Sequence, residues 1–253
     1  MIASRAAKSF AAIAVVIIAG ALGVAHRAWA QAAPDYAAIL AAPDRSDADR
    51  AADKRRDPLP FLEFAKPLPG MKVLDMGAGG GYSTELMARA VAPNGMVYGQ
   101  YPPDSFPKAV EAFQTRLQTP AMKDAAADVR PFDDPVPPDV HDLDLITFLF
   151  YYHDTTYMTV DRAQMDRKMF AGLKPGGYLV LADHSAKAGA DIAVGKSLHR
   201  IDEAIVRQEL EAAGFKLVAT ADFWRVPGDT RDFSSQKPPS PVDAFVLKFQ
   251  KPM

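Results

Sequence analysis

The chain has 253 residues, of which 49% are hydrophobic, so it is long and apolar enough to bury the core of one large domain or two small ones. Its formal net charge of −2 gives no electrostatic reason to expect a nucleic-acid partner. The absence of cysteine excludes a disulfide framework, a thiolate metal site and a cysteine nucleophile.

The first thirty residues have the pattern of a secretory signal peptide. Arg5 and Lys8 precede an apolar run over residues 10–24, and Ala28-Trp29-Ala30 supplies a small-x-small cleavage site. The run is shorter than the roughly 20 residues of a membrane-spanning helix, which favours cleavage after Ala30 over a retained anchor. No Arg-Arg pair precedes it. We therefore predict a Sec-type leader, a periplasmic or secreted protein, and no stable membrane span after cleavage.

Residues 31–66 are predicted to form a helical arm that precedes the main domain, residues 67–253. Asp57-Pro58 combines an N-cap acceptor with a proline at the first turn and so predicts a helix start. Pro69-Gly70 ends that helix. The charged run Lys54-Arg55-Arg56-Asp57 is either a solvated face or a segment that folds over a bound cofactor.

Beyond Met71, short apolar runs alternate with helical stretches, which predicts an α/β fold whose parallel sheet carries helices on both faces. We expect strands over residues 72–76, 96–100, 125–130, 144–150, 178–182, 215–221 and 244–249. Helices are expected over residues 82–91, 106–117 and 160–173, and from an N-cap at Asp202 to Ala213, with Gly214 as the C′ residue. The polar stretch 225–241 is long enough for a functional lid or a mobile segment.

The most informative motif is the glycine-rich turn after the first predicted strand, Asp75-Met76-Gly77-Ala78-Gly79-Gly80-Gly81. A strand, a glycine turn and a helix together let the backbone approach a nucleotide and offer unpaired N–H groups at the helix start. A dinucleotide G-x-G-x-x-G motif that began at Gly77 would require glycine at position 82, where the chain has Tyr82. No Gly-Lys-Ser/Thr follows, so a Walker-type phosphate loop is absent.

This turn resembles motif I of the class I S-adenosylmethionine (SAM) dependent methyltransferases, whose D/E-x-G-x-G-x-G pattern it matches in full. The segment 172–180, Gly-Leu-Lys-Pro-Gly-Gly-Tyr-Leu-Val, is similar to the family's entry into its fifth strand. Tyr152-His153-Asp154 and Ala182-Asp183-His184 resemble a group of exported bacterial predicted methyltransferases of unknown substrate. The resemblance implies a Rossmann-like seven-stranded sheet, mostly parallel with an antiparallel last strand, and SAM as the cofactor.

The resemblance also implies roles for the cofactor-binding positions. The glycines at 77, 79 and 81 would pass under the methionine part of SAM, and Asp75 would organise the turn or meet the amino group of SAM through water. Gln100 holds the place where the family usually has an acid that binds the ribose hydroxyls. Asp128 is a candidate for the adenine amino group, with a solvated loop carboxylate as the alternative.

Two polar clusters fall at the predicted carboxyl ends of the fourth and fifth strands, where open parallel sheets bind ligands. His153 and Asp154 follow the fourth strand, and His184 ends the fifth. Methyl transfer to oxygen or nitrogen requires an aligned acceptor and removal of its proton, and either histidine could be the base. The alternative is that these His-Asp pairs only fix the backbone.

Further polar and aromatic residues surround these clusters. His199 and Arg200 either reach the same cleft or form an ordinary polar pair before a helix. Because no H-E-x-x-H or comparably spaced set exists, we predict no metal site. Four aromatic residues could either line a pocket for the methyl acceptor or belong to the buried core: Phe148, Tyr151, Tyr152 and Tyr157.

The leading hypothesis is an exported SAM-dependent methyltransferase that acts on an oxygen or nitrogen of a small-molecule or lipid-like acceptor. A non-catalytic ligand-binding protein that retains the fold is the alternative, which the neutral Gln100 and the export signal favour. A nicotinamide-dependent oxidoreductase is opposed by Tyr82. The sequence does not indicate an oligomeric state.

Overall fold

The computed structural model describes residues 32–253, so the predicted leader and its cleavage site lie outside the described residues. The strands are β1 Lys72–Met76, β2 Met96–Tyr101, β3 Ala125–Val129, β4 Leu143–Leu149, β5 Leu173–His184, β6 Lys216–Ala221 and β7 Ala244–Gln250. The helices are α1 Tyr36–Ala41, α2 Asp47–Arg56, α3 Pro58–Ala65, α4 Tyr82–Val91, α5 Pro107–Leu117, α6 Arg162–Gly172, α7 Val194–Leu198 and α8 Glu203–Ala212. Within this range, no helix combines the length and apolar character that crossing a membrane requires.

The seven strands form one sheet in the order β3-β2-β1-β4-β5-β7-β6. Strands β1 to β5 are parallel, and β7 is antiparallel to both of its neighbours, β5 and β6. The predicted sheet, mostly parallel with an antiparallel last strand, is therefore confirmed. The strand order reverses between β1 and β4, and open α/β sheets bind ligands at the carboxyl ends of the strands at such a point.

Alternate residues of the central strands enter two separate hydrophobic cores, one on each face of the sheet. Val73 and Leu145 belong to the core that includes buried residues of α3, α4 and α5. Leu74 and Ile146 belong to the core that includes buried residues of α6 and α8. Because the continuous apolar strands are covered on both sides, the predicted placement of helices on both faces is confirmed.

The N-terminal arm consists of α1, α2 and α3 and packs on the domain through Tyr36, Phe61 and Leu62, which are buried in the first core. The predicted start of α3 at Asp57-Pro58 is confirmed, with Asp57 at the N-cap position, but the predicted role of the Asp57 side chain as a hydrogen-bond acceptor is wrong. Asp57 has a φ of 42° and its side chain makes no cap hydrogen bond, because α2 continues to Arg56 and α3 begins directly afterwards. The Asp202 cap of α8 is confirmed, since its carboxylate accepts a hydrogen bond from the Ala204 N–H at 3.0 Å.

The polar connection between β6 and β7 is fastened to the end of β5 by a buried ion pair. Arg200 lies 2.8 Å from Asp229, and both side chains are fully buried. The Arg200 guanidinium also donates to the carbonyl oxygens of Ser185 and Phe233, each at 2.9 Å. A buried charge pair with satisfied hydrogen bonds fixes its segments, so the mobile-segment interpretation of residues 225–241 is not supported. Arg200 is thus a structural anchor.

Candidate functional site

The glycine turn lies at the end of β1 with Gly77, Gly79 and Gly81 in left-handed conformations, at φ values of 65°, 54° and 81°. A Cβ on Gly77 would lie 2.9 Å from the Tyr151 ring, and one on Gly81 would lie 2.7 Å from the Phe113 ring. A Cβ on Gly79 would meet only the Gly77 carbonyl oxygen, at 3.9 Å, within the described chain. Gly79 therefore faces open space, as a cradle for a ligand requires.

Asp75 stabilises this turn through hydrogen bonds to its carboxylate. Its carboxylate is buried and accepts hydrogen bonds from Ser83 Oγ at 2.8 Å, Thr84 Oγ1 at 2.7 Å and Thr147 Oγ1 at 2.7 Å. Burial raises the pKa of Asp75. Because these three hydroxyls occupy its oxygens, Asp75 joins β1 to the start of α4 and to β4. The turn-organising role is the one these contacts support.

Gln100 does not stand where a ribose could reach it. Its side chain is completely buried, its Oε1 accepts from the Gly77 N–H at 3.1 Å, and its Nε2 donates to the Arg130 carbonyl oxygen at 2.6 Å. Because both ends of the amide are hydrogen-bonded within the protein, these contacts do not support a role for Gln100 in ribose binding. Gln100 is next to Met76 in the β1–β2 register, so its amide supports the glycine turn.

Asp128 lies near the end of β3 and is buried, which excludes the interpretation as a solvated loop carboxylate. Its Oδ2 has no hydrogen-bond partner among the described residues. Burial raises the pKa of Asp128 to about 6. An unpaired buried acceptor fits a donor such as the adenine amino group. This acceptor and the open cradle at Gly79 together fit SAM.

The N-terminal arm contacts both flanks of the glycine turn. The Tyr82 hydroxyl donates to Asp53 at 2.5 Å, and the Arg56 guanidinium carbon lies 4.6 Å from the centre of the Tyr82 ring. Arg116 of α5 makes a two-pronged ion pair with Asp49 at 2.8 and 2.9 Å. The charged run at residues 54–57 thus reaches the turn through Arg56.

A histidine cluster lies at the carboxyl ends of β4 and β5. Nδ1 of His153 lies 2.7 Å from Oδ1 of Asp183, which is fully buried, and Nε2 of His153 lies 3.2 Å from Oδ1 of Asp154. Nδ1 of His199 lies 3.3 Å from that same oxygen of Asp154. The structure therefore brings His153 and Asp154 together and adds His199, which the sequence indicated only as one of two alternatives.

The two histidines at the strand ends differ in protonation near neutral pH. Burial would lower the pKa of His153, but the carboxylates of Asp183 and Asp154 outweigh it and raise the pKa to about 10. Burial lowers the pKa of His184 to about 4, because its other neighbours do not compensate. Nδ1 of His184 has no hydrogen-bond partner in the described chain. His153 is therefore a cation at pH 7, whereas His184 is neutral.

The aromatic residues divide between core and cleft. Phe148 and Tyr152 are completely buried, and the Tyr152 hydroxyl donates to Asp166, so these two rings belong to the core. A different pair of rings lies beside His184. Phe150 is 4.7 Å from His184 between ring centres, and Trp224 is 5.4 Å from Phe150. The sequence analysis did not identify this pair of rings, and Trp224, at the start of the polar connection, was the residue that could have indicated it.

A family model and a short match to a curated protein indicate what the chain is similar to. The family model described as a methyltransferase domain matches residues 67–221. A protein-L-isoaspartate O-methyltransferase from Aeropyrum pernix is 54% identical over 38 residues, which are 15% of this chain and 15% of that protein. The aligned segment thus covers about 15% of the length of this curated relative.

Solved structures share the fold at low sequence identity. A SAM dependent methyltransferase from Aquifex aeolicus is 18% identical, with a TM-score of 0.57, over 82% of this chain and 100% of its own. An arsenic (III) S-adenosylmethionine methyltransferase from Chlamydomonas reinhardtii is 15% identical, with a TM-score of 0.58, over 88% and 74%. The [4+2]-cyclase SpnF is 16% identical, with a TM-score of 0.61, over 83% and 84%.

Proposed function

Because the chain belongs to the methyltransferase domain family, we propose that it is an enzyme that uses SAM as its methyl donor, and the leader pattern leads us to propose that it is exported. The proposed acceptor is an oxygen or nitrogen of a small-molecule or lipid-like compound. One observation carries the proposal. Tyr151, which leads into the histidine cluster, packs on Gly77 of the glycine turn, so the two polar regions adjoin at the switch point of the sheet.

We assign different roles in methyl transfer to the two histidines of the site. SAM supplies an electrophilic methyl group on a sulfonium centre. The protein has to hold the acceptor in line and remove its proton. His184 is neutral at pH 7 and has an unpartnered Nδ1, so we assign it as the acceptor of that proton. His153, which carries a proton at pH 7, is held between Asp183 and Asp154 and positions the segment after β4.

The rings beside His184 support an acceptor with an apolar body. Phe150 packs on His184, and Trp224 connects Phe150 to Phe61 of α3, at 5.7 Å between ring centres. Trp224 Nε1 has no hydrogen-bond partner within residues 32–253. An aromatic wall with one unpaired donor and one unpaired acceptor suits a phenol, an amine or a lipid-like molecule with a polar end.

A non-catalytic binding protein is the second candidate. The two residues that end β2, Gln100 and Tyr101, carry no charge, so this strand end lacks the carboxylate that the family uses for ribose. A protein named as a cyclase shares the fold, which illustrates that this fold does not by itself specify methyl transfer.

Calorimetric titration with SAM and a labelled-methyl assay would separate the two candidates. We expect SAM to bind and label to move from methyl-labelled SAM to at least one member of a panel of phenols, amines and lipids. Binding of SAM without transfer to any of them would support the binding protein. No heat and no thermal shift at millimolar SAM would overturn the enzyme and would support a protein that binds a different ligand.

The proposed export has its own test. The leader pattern predicts that the protein recovered from the periplasm or medium begins at Gln31. Amino-terminal sequencing of the fractionated protein checks this, and a variant that lacks residues 1–30 should stay in the cytoplasm. Recovery of the uncleaved wild-type chain with the membrane fraction would contradict cleavage.

A further inference from the structure

Three side chains near the ends of β4 and β5 converge on one point. One ligand atom from each of His153, Asp154 and His199 lies within 4.8 Å of the other two. Oδ1 of Asp154 is 3.2 Å from Nε2 of His153 and 3.3 Å from Nδ1 of His199. Two atoms bound at about 2.0–2.1 Å to a tetrahedral zinc ion are roughly 3.4 Å apart. Both separations therefore match edges of a tetrahedral metal site.

A buried carboxylate orients the first of these ligands. Asp183 is fully buried and accepts hydrogen bonds from both the ring Nδ1 and the backbone N–H of His153, at 2.7 and 2.8 Å. The Nδ1 proton stays on the side of Asp183, so the ligand atom is Nε2, which faces Asp154, and a bound metal ion would replace the proton that Nε2 carries at pH 7. Metal-binding histidines commonly donate their other ring N–H to a carboxylate in this way.

The third ligand is held by the backbone around it. His199 has a φ of 49°, which non-glycine residues rarely adopt. Its carbonyl oxygen accepts from Ser235 Oγ at 2.7 Å, so the anchored connection between β6 and β7 holds this conformation. Strained residues of this kind concentrate at ligand-binding sites.

The cluster is open on one side. The side chain of His153 is 5% exposed, whereas those of Asp154 and His199 are 19% and 18% exposed. Tyr157 lies on this open side, 41% exposed, with its hydroxyl 3.5 Å from Nδ1 of His199. A metal ion could therefore enter from solvent, and its fourth position would face water.

From these contacts we propose that His153, Asp154 and His199 bind a divalent transition-metal ion, and that Zn²⁺ is the ion the geometry fits. Two imidazoles and one carboxylate with an open position form a recurrent ligand set for such ions. The sequence did not predict it because the ligands come from two segments that only the fold brings together. Metal binding does not depend on the proposed function, although an acceptor hydroxyl at the open position would lose its proton more readily.

Cobalt titration tests the site directly. The purified full-length protein is freed of metal with EDTA and titrated with Co²⁺. We expect one equivalent to produce the visible absorption bands of four-coordinate Co²⁺ and Zn²⁺ to displace it. Zn²⁺ should also raise the melting temperature. A spectrum identical to that of aqueous Co²⁺, with no thermal shift, would overturn the proposal.

Variants at position 199 identify the ligand. His199→Ala should lower Co²⁺ affinity by at least about 100-fold, since loss of an outer-shell partner alone costs 10–100-fold. Unchanged affinity would refute the assignment. Because the chain has no cysteine, a thiolate-to-cobalt charge-transfer band in His199→Cys can arise only from that position. His141, an exposed histidine, gives the matched controls His141→Ala and His141→Cys, which should bind Co²⁺ like the wild type and show no such band.

Discussion

Two buried aspartates at the same edge of the sheet are held in different ways. Asp75, at the end of β1, accepts hydrogen bonds from three neutral hydroxyls. Asp183, near the end of β5, accepts from the imidazole of His153 and from the backbone N–H groups of His153 and His184. Neutral donors fix the shape of a turn without adding charge, whereas an imidazole partner can also carry a proton or a metal. We therefore expect changes near Asp75 to affect cofactor binding at a small cost in stability, and changes near Asp183 to affect stability and chemistry while SAM still binds.

The largest effect is expected at Gly79. Gly79→Val should abolish SAM binding, because the side chain would fill the open cradle beside Asp75. Calorimetry with SAM measures the loss. Gly189→Val is the matched control, since Gly189 has a φ of 74° and open space around it, but lies outside the turn. Equal loss of SAM binding in both variants would show that backbone strain, and not the cradle, is responsible.

The next largest effect is expected at His184. With an acceptor found in the labelled-methyl assay, His184→Gln should lower turnover about 10²- to 10⁴-fold, because a general base is lost, and leave SAM affinity unchanged. His141→Gln should leave both quantities at wild-type values. A parallel loss of SAM affinity would assign His184 to the structure of the site, and the division between the two aspartates would fail.

Removal of the imidazole beside Asp183 should destabilise the protein. His153→Gln leaves a buried carboxylate without its charged partner, which lowers the free energy of unfolding by about 3 kcal/mol. Urea denaturation in EDTA measures this, with calorimetry to show that SAM still binds. A loss equal to or smaller than that of Thr147→Val would contradict the larger contribution that we assign to the ion pair at Asp183.

Removal of one hydroxyl beside Asp75 should cost less. Thr147→Val keeps the shape of a buried side chain but deletes the donor to Oδ1 of Asp75, so we expect a loss of about 1.5 kcal/mol. The same urea experiment applies. Thr155→Val, which deletes a bond from a buried hydroxyl to the Tyr152 carbonyl oxygen, serves as the comparison. SAM affinity should fall only in the Thr147 variant, because only that one loosens the turn.

The smallest effect concerns pH. Burial raises the pKa of Asp128 to about 6, and a ligand amino group is bound by the ionised carboxylate. SAM affinity should therefore be constant above pH 6 and fall up to tenfold for each pH unit below it. Calorimetry between pH 4.5 and 8, an interval chosen to bracket about pH 6, gives the profile. Asp128→Asn should make it flat, and a wild-type profile without a break would contradict the assignment.

The features that sequence could predict are those set by local pattern. The apolar runs and the glycine turn depend on residues that are adjacent in the chain, and the seven predicted strands were confirmed. The contacts of the Gln100 amide could not be predicted, because the direction of that side chain depends on the β1–β2 register, which pairs Gln100 with Met76. The contact between Asp154 and His199 crosses 45 residues and depends on the path after β5, which local pattern does not specify.

The contacts of the N-terminal arm bear on the kinetics of the cofactor. Arg116–Asp49 and Arg89–Asp44 join the arm to the helices on either side of the glycine turn through charges, and salt screens partly exposed charges. The residence time of SAM should therefore shorten as ionic strength rises, since a loosened arm lets the ligand leave sooner. The rate at which SAM is exchanged would then depend on the salt concentration around the protein.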